Sequence, residues 1–123
     1  MLIGELSTKT GVSRDTIRFY EKKGLIKLKK QHQLSNNYKN YPEEVVEVLI
    51  FIKRAKSFGF TLDEIKLWLE DWKEGRVPVQ RKITIFKERI ATVEDKMAEL
   101  QQLKLALKTK LGEYQNIEKK ENR

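Results

Sequence analysis

The chain has no cysteine. Disulfides, thiolate metal sites and cysteine redox chemistry are therefore excluded. Histidine is almost missing as well: His32 stands alone, so a metal centre is not expected. No His–carboxylate or nucleophile–base constellation appears, which argues against an enzyme. Asp15 and Glu21 are better read as ion pairs with the arginines on their own helix face. No cofactor is implied. No apolar run approaches the ~20 residues that a membrane span needs, and the N-terminus lacks a signal-peptide pattern. The expectation is a cytoplasmic protein with no membrane partner. Glycine and proline are also scarce, six and two among 123 residues. They fall mostly at boundaries, which leaves a chain dominated by helix signals.

Basic charge is plentiful, with a formal net charge of +8. Its placement says more than its size. Residues 1–41 hold nine Lys/Arg against three Asp/Glu, residues 42–75 hold five against eight, and residues 76–123 hold twelve against seven. Basicity thus sits in the first third and in the last, and a polyanion is a reasonable partner.

"LIGELSTKTG" places Ile3, Leu6 and, beyond the turn, Val12 on one apolar side. Gly11 is suited to stop that helix. Ser13 then caps a second helix, with Thr16 three residues on, and Gly24 ends it. Two short helices around a tight turn read either as a DNA-binding helix-turn-helix or as an ordinary helical hairpin. The lysine-rich stretch that follows reads as two short strands around "SNN", with Asn36 and Asn37 fit for a hairpin turn. A third helix follows Pro42, which suits a first helical position, with Glu43 and Glu44 at its positive end. Val45, Val48, Leu49 and Ile52 form its apolar stripe, and Gly59 ends it. A capping box, Thr61 with Glu64, opens a fourth helix. Its Leu62, Ile65, Trp68, Leu69 and Trp72 face inward or toward a partner.

The second helix has two faces. Advancing about 100° per residue from Arg14 puts Arg18 at about 40° and Lys22 at about 80°. Ile17 and Tyr20 lie on the opposite side, at about 300° and 240°, with Thr16 near 200° and Phe19 on the flank near 140°. Arg14, Arg18 and Lys22 therefore point outward together. As a recognition helix, this one would offer Arg14 to a base edge, since arginine bonds guanine O6 and N7 in a bidentate way. Arg18 suits base or phosphate, Lys22 and Lys23 suit phosphate, and Phe19 suits a thymine methyl or a sugar. The alternative for each is a solvated charge or a packing aromatic.

Beyond the breakers Gly75 and Pro78 a heptad register runs through the rest of the chain. Ile83, Ile90, Met97, Lys104 and Leu111 occupy a; Phe86, Val93, Leu100, Leu107 and Tyr114 occupy d. A helix of this length cannot bury its seam on a head of about 75 residues, so a coiled-coil dimer is expected. The seam residues are Ile83, Phe86, Ile90, Val93, Met97, Leu100, Leu107 and Leu111. The tail "EKKENR" is expected to fray. The boundaries expected are a helical head over 1–75, which the resemblance below makes the DNA-binding domain, and a dimerisation helix with a short basic tail over 76–123.

"IGELSTKTGVSRDTIRFYEKKGLI", "NNYKNYPEEVVEVLIFIKRAKSFGFTLDEIKLWL" and the closing heptads resemble MerR-type transcription regulators. The resemblance implies a mainly α fold: a winged helix-turn-helix head with a small β-hairpin wing, followed by a long antiparallel coiled coil. It implies a homodimer on double-stranded DNA, at a pseudo-palindromic promoter operator that is bent and untwisted so that RNA polymerase engages both elements. Thr16, Arg18, Phe19 and Tyr20 match the family's DNA-contact segment, and Tyr38 and Lys39 match its wing motif. For Tyr20 the face geometry and the resemblance disagree. Lys39 stands where the family usually has arginine and loses the bidentate fork. Pro42 replaces the usual Ser/Thr cap of the third helix, leaving the cap to Tyr41 or Asn40. The cysteines of metal- and redox-sensing relatives are missing, and the residues name no effector. Two further readings stay open: an architectural DNA-bending factor, and a protein-interaction module built on the coiled coil or on Trp68 and Trp72.

Overall fold

The computed structural model describes residues 1–29, 32–33 and 38–122, and is mainly helical. Helix α1 spans Ile3–Thr10 and α2 spans Arg14–Lys22. The turn between them is fastened by side chains as well as by backbone. Gly11 takes φ 72°, and its N–H donates to the Ser7 carbonyl at 2.9 Å. Ser7 Oγ donates to the Val12 carbonyl at 2.6 Å, and Thr10 Oγ1 accepts the Val12 N–H at 3.2 Å. Ser13 caps α2 by accepting the Thr16 N–H at 3.2 Å. At the other end Gly24 takes φ 82°, a left-handed conformation that a side chain would strain.

Helix α3 spans Glu44–Ser57, and Glu43 holds the cap position with no side-chain cap bond. Pro42 thus lies before the helix and not in its first turn. Neither expected cap serves: Asn40 Oδ1 accepts from the Met1 amino group at 2.7 Å, and the Tyr41 hydroxyl points to Glu21. The Val45 and Val46 amides instead bond back three residues, to Pro42 and Glu43, each at 3.0 Å. Helix α4 spans Leu62–Lys73. Its capping box is complete, with Glu64 N–H to Thr61 Oγ1 at 3.1 Å and Thr61 N–H to Glu64 Oε1 at 3.0 Å.

Helix α1 packs on α2 and α3, and α3 packs on α4. Leu6, Val12, Ile17, Ile26, Tyr41, Val45 and Leu49 form the core, with Tyr20 and Leu28 packed against it. Leu6, Ile17, Leu49, Ile52 and Ile65 are fully buried. Each such side chain contributes about 1.5–3 kcal/mol of hydrophobic stabilisation before entropy is counted.

The expected pair of strands differs from the structure. Among the described residues it reduces to one antiparallel bridge, Gln33 to Lys39. The reason is local. The Lys29 N–H donates to His32 Nδ1 at 3.0 Å, and the His32 N–H donates to the Lys29 carbonyl at 2.9 Å. That turn uses backbone groups a ladder would need. The turn expected at Asn36 and Asn37 lies outside the described residues.

Helix α5 spans Val79–Glu121, 43 residues, or about 65 Å at 1.5 Å per residue. It continues through most of the tail expected to fray, where Lys119 and Lys120 favour the negative end of the helix dipole. The chain divides into two compact units, Met1–Val77 and Pro78–Arg123. Among the described residues no helix is long and apolar enough to cross a membrane.

Candidate nucleic-acid interface

The buried side of α2 is set by Ile17, which has no exposed surface. Arg14, Arg18 and Lys22 are exposed on the other side, so the helix presents one cationic stripe. The Arg14 guanidinium lies across the first turn of α1. A Cβ placed on Gly4 would stand 2.8 Å from Arg14 Nη2. Gly4 thus lies directly beneath the Arg14 guanidinium, a proximity with no signal in the local sequence pattern. Arg18 Nη1 meets Asp15 Oδ1 at 3.3 Å, with both side chains largely in water. Such a pair contributes little and exchanges readily for another anion.

The remaining α2 positions divide. Thr16 is half-buried, and its Oγ1 accepts from Ser13 Oγ at 2.8 Å, so its hydroxyl serves the cap. Phe19 is 44% exposed, with the Lys23 ammonium 5.5 Å from its ring centre. Tyr20 is half-buried against the core, and that burial raises its phenol pKa. The ring packs where the face geometry places it, beside Ile17.

Glu21 does not pair with an arginine of its own helix. Its side chain, 16% exposed, takes the Lys39 ammonium at 2.7 Å on one carboxylate oxygen. The Tyr41 hydroxyl donates to the other oxygen at 3.0 Å. Tyr41 is buried, and that burial, with the negative charge and hydrogen bond of Glu21, pushes its pKa up to about 12. The nearby Arg18 charge opposes the shift. This cluster ties α2 to the segment after the Gln33–Lys39 bridge. Sequence reasoning missed it, because its partners lie 18 and 20 residues from Glu21 and carry no periodic signal. Tyr38 is exposed beside it.

Other cations gather near the two-helix unit from outside it. Lys53 of α3 donates to the Thr10 carbonyl at 3.5 Å, and Lys66 of α4 reaches the left-handed Gly24. The two tryptophans of α4 have partners in the head: Trp68 meets Phe60 edge-on at 5.0 Å, and Trp72 meets Phe51 at 5.5 Å. Along α5 the a and d side chains stand in solvent, as with Met97 at 64% and Leu100 at 63% exposure. Leu103 is exposed beside Lys104, so apolar surface continues where the lysine interrupts the seam.

The family model described as "MerR HTH family regulatory protein" matches residues 1–72, and "MerR, DNA binding" matches residues 46–110. The chain is 35% identical over 112 residues to heavy metal-dependent transcription regulator 2 of Rhizobium meliloti (strain 1021), covering 91% of this chain and 75% of that one. It is 36% identical over 107 residues to the mercuric resistance operon regulatory protein of Bacillus cereus, covering 85% and 78%. The solved structure of the transcription regulator PbrR691 from Ralstonia metallidurans CH34, in complex with lead(II), superposes with a TM-score of 0.75. Identity there is 33%, over 87% of this chain and 82% of that one.

Proposed function

The chain belongs to the MerR family of helix-turn-helix, DNA-binding transcription regulators, and from that premise we propose that it binds a pseudo-palindromic promoter operator as a homodimer. The observation that carries this reading is the two-sidedness of α2. Ile17 is wholly buried while Arg14, Arg18 and Lys22 share the exposed face. Arg14, near the N-terminus of α2, reads a base edge, and Arg18 reads base or phosphate. Lys22 neutralises phosphate, and Phe19 and Tyr38 supply apolar contact to sugar or thymine methyl. Thr16 and Tyr20 support the helix from its cap and its core side. The dimer forms through the a and d residues of α5, paired antiparallel. Operator DNA is bent and untwisted on the two heads, which acts on RNA polymerase through the DNA.

Heavy-metal ions are soft and favour thiolate. This chain has no cysteine to offer them.

Gel-shift titration on an operator found by mapping the bound genomic DNA tests the interface. Arg14→Ala and Arg18→Ala each weaken specific binding about 5- to 150-fold, the loss of one bidentate base contact, and leave the dimer intact. Unchanged specific affinity in both variants rules out the recognition-helix assignment. Transcription from a promoter with a lengthened spacer separates a regulator from an architectural factor, since only the regulator changes transcript level.

A further inference from the structure

We propose that Glu21 and Lys39 form a positioning pair that fixes the segment after the Gln33–Lys39 bridge against α2, and that Lys39 serves this pair and not a DNA phosphate. The inference rests on the reading that α2 and the neighbourhood of Tyr38 face one duplex. A carboxylate beside a surface that meets a polyanion is an electrostatic liability, because it repels phosphate. Glu21 is nevertheless held there on two sides. Lys39 Nζ stands 2.7 Å from one oxygen, and the Tyr41 hydroxyl stands 3.0 Å from the other. Tyr41 is 2% exposed and its own N–H donates to the Met1 carbonyl at 2.7 Å, so it cannot follow Glu21 outward. The carboxylate is therefore anchored, and the lysine is drawn to it.

Moving Lys39 to a phosphate would leave a mostly buried carboxylate with one neutral donor, and an uncompensated buried charge is costly. Lysine carries one compact ammonium and no planar fork, so it does not bridge carboxylate and phosphate in the bidentate manner open to arginine. The pair sets the distance between the recognition helix and the bridge segment. That distance decides whether both reach the duplex together.

The two roles give opposite signs. Specific-operator affinity is measured against salt concentration for the full chain and for Glu21→Gln, Lys39→Gln, Lys39→Arg and the Glu21→Gln/Lys39→Gln double variant. Thermal melting and dimer mass of each free protein serve as the folding control. If the pair positions, Glu21→Gln weakens binding about five-fold although it removes a negative charge beside the cationic stripe. Lys39→Gln weakens it similarly with the slope of log affinity on log salt unchanged. Lys39→Arg keeps wild-type affinity, and the double variant is no worse than either single one. Equal or tighter binding by Glu21→Gln overturns the proposal. So does a salt slope shallower by about 0.9 per protomer in Lys39→Gln, the signature of a lost phosphate contact. Additive losses in the double variant overturn it too. Glu21→Gln keeps the shape of the side chain and a partner for Tyr41, and Lys39 is the more exposed member, so at least one single variant is read in the folded state. Arg14→Ala in the same titration separates the two readings. If it loses affinity while Glu21→Gln does not, the pair is wrong and the interface stands; if Glu21→Gln, Arg14→Ala and Arg18→Ala all keep wild-type affinity, the interface itself is wrong.

Discussion

The fully buried large apolar side chains belong to the head; the a and d side chains of α5 are exposed. Leu6, Ile17, Leu49, Ile52 and Ile65 are fully buried in a unit of fewer than eighty residues, whereas the seam of α5 stands in water from Ile83 to Leu111. Both regions are helical and both follow a regular apolar period. The difference lies in the period and in what lies opposite. The 3.6-residue stripes of α1 to α4 meet one another within a single chain. The 3.5-residue a and d stripe of the 43-residue α5 stands exposed over most of its length, the pattern that pairs with a second helix. One region thus carries a buried core of its own, and the other an exposed a and d stripe of the kind that pairs in the proposed dimer.

Breaking the pairing region has the largest expected effect. Met97→Asp with Leu100→Asp places carboxylates in the seam, so sedimentation should show monomers. Specific DNA binding should fall by about 100-fold or more, because the two heads are no longer linked. The head's melting transition should survive. The reverse break is Leu49→Ala. It leaves a cavity in the head and should cost about 2–5 kcal/mol in denaturant unfolding, while α5 keeps its helicity and its dimer. Thr61→Ala removes half of the capping box of α4 and should cost about 1 kcal/mol by the same measurement.

An effect of about the same size comes from a titration, at roughly 1 kcal/mol. The folded Tyr41 phenol is raised to about 12, by burial first and by Glu21 second, against about 10 for an unfolded tyrosine. The protonated form is therefore favoured by folding. Its contribution is complete below pH ~10 and is lost as pH climbs to ~12. Urea unfolding at pH 9 and at pH 11 should show the wild type losing more stability between the two than Tyr41→Phe does. Lysine titration is common to both proteins and cancels in the difference.

What was legible in the residues was local or periodic. The Thr61–Glu64 box, the Ser13 cap, the left-handed Gly11 and the α2 stripe all depend on spacings of a few residues. Each appears in the structure with the geometry its spacing implies. Tyr20 shows the value of the angle argument, since its ring lies with Ile17 against the core. What was not legible crosses the fold. Gly4 of one helix lies beneath the Arg14 guanidinium of another, and Glu21 reaches Lys39 and Tyr41 across 18 and 20 residues. Of the expected hairpin the described residues show the Gln33–Lys39 antiparallel bridge, flanked by the Asn40 N–H donating to the His32 carbonyl at 2.6 Å. Pro42 lies two positions before the first helical residue, Glu44, and not at it; backbone bonds back to Pro42 and Glu43 satisfy the first amides without a side-chain cap.

The proposed pairing of α5 helices beneath two DNA-binding heads is tested most directly by counting chains. Native mass measurement of the protein alone, and then on one operator duplex, should give a dimer in both cases, with two chains on one duplex. A single chain bound to the operator with undiminished specific affinity would contradict the account, because α5 would then have no part in bringing the two recognition helices to the DNA.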